Sequence, residues 1–172
     1  MDFKDLVYKR RSNRRLTAQP IPAEDVRLIL EAGLRAPNAC NYQSWHLYCI
    51  TNQEKVASIV PDICNQEWIK GASIAIVITE DNTRLCERWG KDKADLFVAE
   101  DAGACAENML LMAAELGYAG VFVGAFDEEK CKKYVGAGEN ERPLLIVPIG
   151  TYDTEPPLRD RKPFDEAVTF VD

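Results

Sequence analysis

A continuous run of apolar and β-branched residues over 73–79 (SIAIVIT) constrains the fold most strongly. A strand with one face in water carries a polar residue at every second position, whereas a strand covered on both faces reads as an unbroken apolar run. The segment therefore predicts a strand that is central in a sheet. The main core helix is predicted between Phe97 and Leu116, because apolar side chains recur there on one helical face and Gly117 can follow its end.

Other segments carry the spacing or composition of helices and strands. They are a helix beginning at Phe3, a helix over 26–33 that Pro37 ends, a strand over 45–51, a short helix over 54–60, a strand over 120–126, a helix capped by Asp127 and running to about Tyr134, and a strand over 144–150. Strands separated by helices indicate layers of both element types. No G-x-G-x-x-G motif follows a predicted strand, so a dinucleotide fingerprint of that type is not expected.

The composition bounds the class of protein. The chain has 172 residues, 47% of them hydrophobic, and a formal net charge of −7, which predicts a single domain over 1–172 and argues against nucleic-acid and membrane partners. The N-terminus lacks the apolar region of a signal peptide, so a cytoplasmic protein is expected. The six cysteines have no C-x-x-C spacing and His46 is the one histidine, so no metal site is expected.

A basic cluster stands out in this acidic chain. Five of its 21 Lys and Arg residues fall within seven positions around Ser12, and they are Lys9, Arg10, Arg11, Arg14 and Arg15. Like charges packed so closely repel each other, and an anion such as a phosphate offsets that repulsion. The alternative is a solvated helix end whose cations pair with Asp or Glu.

The phosphate of a flavin mononucleotide (FMN) is the anion that the sequence favours. Arg10 and Ser12 would bind it from the front of the chain, and Arg159 or Arg161 from the C-terminal tail. The alternative for the two tail arginines is pairing with nearby carboxylates. These are Asp160, Asp165 and Glu166.

Residues suited to the flavin ring occur in two other places. Asn38, Asn41 and Gln43 follow Pro37 and offer amide groups to the polar edge of the ring or to the ribityl chain. Near the end of the predicted third strand, Gly124 lets the main chain approach a flat ring, and a backbone N–H there could donate to the nitrogen that carries hydride. Cys40, in the loop after Pro37, is interpreted either as a packed small hydrophobe or as a thiol near the flavin.

With these residues in view, the chain resembles the FMN-dependent nitroreductase family. Four motifs occur in the family's order: RRSNR at 10–14, APNACNYQSW at 36–45, a helix over 101–117 that begins D-x-G-A-C, and IVPIG at 146–150 with DRKP at 160–163. The chain departs from the family at Ser44, where Pro is usual, and at Leu16, where an aromatic residue is usual. It is also short for the family, which leaves little room for the helices that shape the substrate pocket.

The resemblance implies an α+β fold with a mixed sheet flanked by helices. It also implies a homodimer with two FMN sites at the subunit interface and a tail over 151–172 that wraps the partner. It assigns cofactor binding to a front segment, a loop that reaches FMN from the partner subunit, a main-chain contact and the tail. These residues are Arg10, Arg11, Ser12 and Arg14; Pro37, Asn38, Ala39 and Asn41; Gly124; and Arg159 and Arg161.

The implied activity is a ping-pong reaction without catalytic side chains, since FMN carries the chemistry. NADH or NADPH would reduce FMN and leave, and a nitroaromatic, quinone or similar small molecule would then accept the reducing equivalents. Two alternatives share the scaffold, namely a specialised reductase such as a reductive dehalogenase, and a flavin-binding protein for storage or sensing. An RNA-binding module is disfavoured, because no aromatic residue interleaves with the basic cluster.

Overall fold

The computed structural model describes residues 2–171, which contain a four-stranded sheet with helices on both faces. The strands are β1 (Trp45–Ile50), β2 (Ile74–Glu80), β3 (Ala119–Gly120) and β4 (Arg142–Gly150), in the spatial order β1-β2-β4-β3. All three pairings are antiparallel, so the α+β class is confirmed and the expectation of a mixed sheet is wrong. Neighbouring strands thus run in opposite directions throughout the sheet. Among the described residues, a parallel contact occurs at the isolated bridge between Ser12 and Gly120.

Seven α-helices surround the sheet within the described residues. They are α1 (Phe3–Lys9), α2 (Ala23–Leu34), α3 (Gln53–Ser58), α4 (Thr83–Trp89), α5 (Lys91–Glu115), α6 (Glu128–Val135) and α7 (Phe164–Ala167). Short 3-10 helices lie at Ala39–Asn41 and Glu67–Gly71. The predictions of α1, α2, α3, α5 and α6 are confirmed, whereas α4 and α7 were not predicted. Gly117 follows α5 with φ +87°, a conformation that glycine adopts without strain.

The core lies on both sides of β2, all seven residues of which are buried. One face, with Ile76 and Ile78, packs against α5 and α2 around Met109. The other face, with Ala75 and Val77, packs in a second cluster with residues of α3 and α6. The structure thus confirms a central strand covered on both faces, and it places Met109 as a core side chain.

The predicted third strand over 120–126 is wrong in extent. Only Ala119 and Gly120 form a ladder with β4, and Val123 adds an isolated bridge to Ile146. Pro148 explains the interruption, because it accepts from the Val121 N–H at 3.3 Å but has no N–H of its own to donate. After Val123 the chain leaves the sheet, so the main chain at Gly124 has no neighbouring strand among the described residues.

Gly120 occupies a position where a side chain does not fit. A Cβ there would lie 2.7 Å from the carbonyl oxygen of Pro148 and 2.9 Å from Leu110 Cδ2. We expect Gly120→Ala to lower the free energy of unfolding by about 1–3 kcal/mol, measured by urea unfolding, because the sheet must shift. Gly103 on α5 is the matched control, since a Cβ there meets nothing within 4 Å, and Gly103→Ala should raise stability by about 0.5–1 kcal/mol. Equal effects of the two substitutions would contradict the close approach at Gly120.

Membrane insertion by a helix has no support in this fold. Among residues 2–171, every helix is too short or too polar to cross a bilayer.

Candidate flavin site

The basic cluster begins where α1 ends. The Arg10 N–H donates to the Leu6 carbonyl and so caps the helix. The Arg10 side chain is only 18% exposed and lies against α5, where its Nε is 3.1 Å from Glu107 Oε1. This ion pair holds the guanidinium at the surface of the fold in a defined orientation.

The start of the C-terminal tail lies against the basic cluster. Arg11 Nη1 donates to the Pro156 carbonyl at 2.9 Å, and Asn13 Nδ2 donates to the Thr154 carbonyl at 3.0 Å. Asn13 is 98% buried in this contact, since its exposed fraction is 2%. Arg11 Nη1 also lies 2.9 Å from Glu155 Oε2. The start of the tail therefore meets the cluster through residues 154–156, while convergence of Arg159 or Arg161 with Arg10 on one phosphate stays a prediction.

The remaining cations of the candidate site are exposed. Arg159 and Arg161 lie in the tail beyond Pro156, and both are at the surface. The Arg14 guanidinium lies 5.7 Å from the ring centroid of Trp68, a distance typical of a cation–π contact. The structure therefore joins the tail to the cluster through 154–156 and leaves both tail arginines accessible to a ligand.

The segment that leads to Gly124 meets the basic cluster at Gly120. The bridge between Ser12 and Gly120 aligns the front segment with the chain that leads to Gly124. Gly124 is exposed, and a Cβ there would meet only Leu145 Cδ2, at 3.7 Å. Its N–H has no hydrogen-bond acceptor among residues 2–171. Cations for a phosphate and an open N–H for a flat ring thus lie along adjacent segments, and these residues fit a flavin.

The loop at 37–41 is held from α5. The Ala39 N–H donates to both carboxylate oxygens of Asp101, at 2.9 and 3.0 Å. Cys40 and Asn41 have φ of 56° and 53°, in the left-handed region that non-glycine residues rarely occupy. Asn38 Oδ1 accepts from the Gln43 N–H at 2.9 Å. The loop therefore has a strained backbone that a buried carboxylate keeps in place.

Within one chain, this loop does not meet the basic cluster. The cleft beside the loop is lined by residues from the start of α5, including Phe97, Glu100 and Asp101. The cavity beside Arg10, of about 80 Å³, is lined by the far part of α5 around Leu110. At 1.5 Å per helical residue, Asp101 and Leu110 are about 14 Å apart along the helix. The two halves of the predicted site thus lie at different places on one protomer.

Asp101, which holds the loop, interacts by its charge with a second buried carboxylate, Glu80. Glu80 and Asp101 are 2% and 6% exposed, and neither carboxylate oxygen of Glu80 has a hydrogen-bond partner among the described residues. Burial, and after it the charge of Asp101, raises the pKa of Glu80 to about 8. Burial also raises the pKa of Asp101, although the Ala39 N–H opposes that rise.

The sequence reasoning missed this pair. Its one signal was a charged residue directly after the apolar run that ends at Thr79. Glu80 lies within β2 because it pairs with Trp45 of β1, so the strand extends one residue further than the apolar run.

The single histidine lies on the opposite face of the sheet. His46 stacks on Tyr48 at 4.5 Å, and its Nδ1 is 3.6 Å from Glu141 Oε1. The Tyr48 and Thr79 hydroxyls both donate to Glu141 Oε2 at 2.8 Å. Burial, and next the hydrogen bond to Glu141, raises the pKa of Tyr48. The contacts of His46 in this cluster are with Tyr48 and Glu141.

Comparison with known proteins decides the family. The model of the nitroreductase family matches residues 7–66 and 61–151. The chain belongs to the nitroreductase family. A relative from Archaeoglobus fulgidus, named for NADH dehydrogenase or NAD(P)H nitroreductase activity, is 31% identical over 94% of this chain and 88% of its own.

Solved structures of nitroreductases agree with this fold. The NADPH:FMN oxidoreductase of Vibrio harveyi, solved with NAD⁺, matches with a TM-score of 0.85 and 26% identity over 97% of this chain and 76% of its own. A nitroreductase family protein of Streptococcus pneumoniae matches in fold with a TM-score of 0.87 and 22% identity, over 99% of this chain and all of its own. The protein is thus an NAD(P)H-dependent oxidoreductase of the nitroreductase family that uses a flavin.

Proposed function

We propose that this nitroreductase binds FMN and reduces nitroaromatic, quinone or similar small acceptors by a ping-pong reaction. One observation carries the proposal: the basic cluster, the start of the tail and the open N–H of Gly124 lie along adjacent segments. Bound FMN supplies the chemistry by taking hydride from NADH or NADPH and passing reducing equivalents to the acceptor. The residues of the chain bind and orient the flavin, and no side chain is needed as an acid or base at the reactive nitrogen.

Each segment has its own part in holding the flavin. Arg10, Arg159 and Arg161 bind the phosphate, with Arg11 and Ser12 beside them, because guanidinium groups form strong charge-assisted bonds with phosphate. Arg14 lies at the pyrimidine end of the ring, and the Gly124 N–H donates to the nitrogen that carries hydride. The loop of Pro37, Asn38, Ala39 and Asn41 contributes backbone and amide groups.

The flavin site is completed by a second copy of the chain in this proposal. The separation of the 37–41 loop from the basic cluster on one protomer supports it, since a loop from the partner can reach where its own cannot. Apolar side chains of the tail support it too, because Phe164, Phe170 and Val171 are 63%, 80% and 92% exposed. Patches of this kind mark protein interfaces. The tail over 151–172 would then wrap the partner of a single-domain protomer.

The purified protein tests the function directly. We expect visible absorption typical of a flavin, release of FMN on denaturation, and bleaching when NADH or NADPH is added without oxygen. Oxidation of the nucleotide should then depend on added nitroarene or quinone. Colourless protein that cannot be reconstituted with FMN would contradict the proposal, and bound FMN that neither nucleotide reduces would favour storage or sensing instead.

A further inference from the structure

One buried carboxylate on α5 holds the 37–41 loop, in addition to the hydrogen bonds that Asn38 makes within the loop. Asp101 is 6% exposed and receives the Ala39 N–H on both of its oxygens. Cys40 and Asn41, which follow, have the left-handed backbone described above, and such strain persists only where the surroundings hold it. A change at Asp101 therefore acts directly on the conformation of the loop.

Glu80, the last residue of β2, is 2% exposed and has no hydrogen-bond partner among the described residues, and the charge of Asp101 acts on it. Among the described residues of α5, Asp101 carries the charge that raises the pKa of Glu80, whereas the Cys105 thiol stays neutral because burial, and after it Glu80, raises its pKa to about 12. Glu80 is paired on β1 with Trp45, which does not titrate. Its paired residue on β4 is Arg142, whose guanidinium bonds both oxygens of Glu128 instead. Glu100 on α5 adds a further negative charge near Asp101.

We propose that Glu80 and Asp101 are positioning residues that together set the loop: the loop is held while the pair carries one negative charge and released when it carries two. The proposal rests on the proposed function to the extent that the loop contacts the flavin. Beyond that function, a proton held on the buried Glu80 would control whether the loop contacts the flavin.

Electrostatics explains why one charge is stable and two are not. The first charge resides on Asp101, because the Ala39 N–H stabilises a carboxylate there. A second charge on Glu80 would have no hydrogen-bond donor among the described residues, since the guanidinium of Arg142 is bound to Glu128, and like charges in a buried site repel strongly. Movement of Asp101 away from Glu80 relieves the repulsion and breaks its bond to Ala39.

The Ala39 amide reports this state without any flavin assay. Its NMR chemical shift and hydrogen-exchange protection, corrected for the intrinsic exchange rate, are followed from about pH 6 to about pH 9.5 in the purified protein. We expect a transition near pH 8 in the wild type, because the pKa of Glu80 is raised to about 8. Glu80→Gln should abolish the transition and keep the loop held throughout.

Two further variants separate this account from a general structural effect. Asp101→Asn should weaken the protection of the Ala39 amide at every pH, since a neutral amide accepts less strongly than a carboxylate. Glu87→Gln, which removes an exposed carboxylate of α4, should leave the transition as in the wild type. A transition that persists in Glu80→Gln, or a wild-type amide that does not change over the range, would overturn the proposal.

The affinity for FMN over the same pH range separates this proposal from the proposed function. We expect the dissociation constant of the wild type to rise several-fold above about pH 8 and that of Glu80→Gln to stay constant, because binding and loop state are linked. If the Ala39 amide shows the transition near pH 8 but the FMN affinity stays constant, the result would support control of the loop by Glu80 and Asp101. It would contradict the proposal that the loop contacts the flavin.

Discussion

Replacing Glu80 with Gln is expected to raise the free energy of unfolding by about 3 kcal/mol at pH 7. The pKa of Glu80 is 4.5 in an ordinary setting and about 8 in this fold, so at pH 7 the folded protein must hold a proton that the unfolded chain releases. Each unit of difference is worth about 1.4 kcal/mol. The wild type therefore loses stability as the pH rises from about 4.5 to about 8, and the loss levels off above that range.

Urea unfolding of both proteins at several pH values measures this effect. The difference between Glu80→Gln and the wild type should be small near pH 4.5, grow toward pH 8 and then stay constant. Glu87→Gln is the matched control, because its carboxylate is exposed and its loss should change stability little at any pH. A difference that does not vary with pH would show that Glu80 is not held protonated in the fold.

Loss of either arginine that we propose to bind the phosphate is expected to weaken FMN binding by about 1.5–3 kcal/mol, or roughly 10- to 160-fold, since each removes a charge-assisted hydrogen bond. The two variants are Arg10→Ala and Arg161→Ala, one from each end of the chain. Arg10 is paired with Glu107, which is 44% exposed, so its removal leaves no buried charge behind and the fold should survive. Equilibrium dialysis or fluorescence titration with FMN gives the dissociation constants.

Lys162→Ala provides the control for the tail, because it removes an exposed neighbouring cation that the site does not use. Its FMN affinity should match the wild type at moderate ionic strength. Unchanged affinity in both arginine variants would contradict the phosphate assignment.

The fold was predictable where apolar spacing alone decides the structure. The run at 73–79 and the helical stripe between Phe97 and Leu116 correspond to β2 and α5, because burial on both sides of the sheet needs those patterns. The prediction of a strand over 120–126 was wrong because of a residue that is distant in the sequence. Pro148, on the facing strand, lacks the N–H that would continue the ladder. Strand composition does not reveal such a partner. The antiparallel arrangement of the four strands was not predicted either, because the direction of a strand depends on how the chain connects it to the others and not on its own residues.

The sequence indicated which segments belong to the candidate site but not how the fold places them relative to one another. Charge predicted that tail arginines join the basic cluster, and the structure brings the start of the tail to it through Arg11 and Asn13, while the roles of Arg159 and Arg161 stay a prediction. The position of the 37–41 loop on another part of the protomer follows from how α5 crosses the fold, which no local pattern encodes. The burial of Glu80 was not predicted, because a lone carboxylate at a strand end is ordinarily solvated, whereas in the fold this side chain is only 2% exposed.

The central claim is that two copies of the chain build each flavin site, and mixing two defective variants tests it most directly. One variant carries Arg10→Ala in the basic cluster, and the other carries Asn38→Ala in the loop. Each alone should have little NAD(P)H-dependent reductase activity at limiting FMN. After subunit exchange, half of the dimers contain both variants, and in each of these one site is intact, so about a quarter of the sites should recover. No recovery, in a mixture shown by mass spectrometry to contain mixed dimers, would contradict a site shared between subunits.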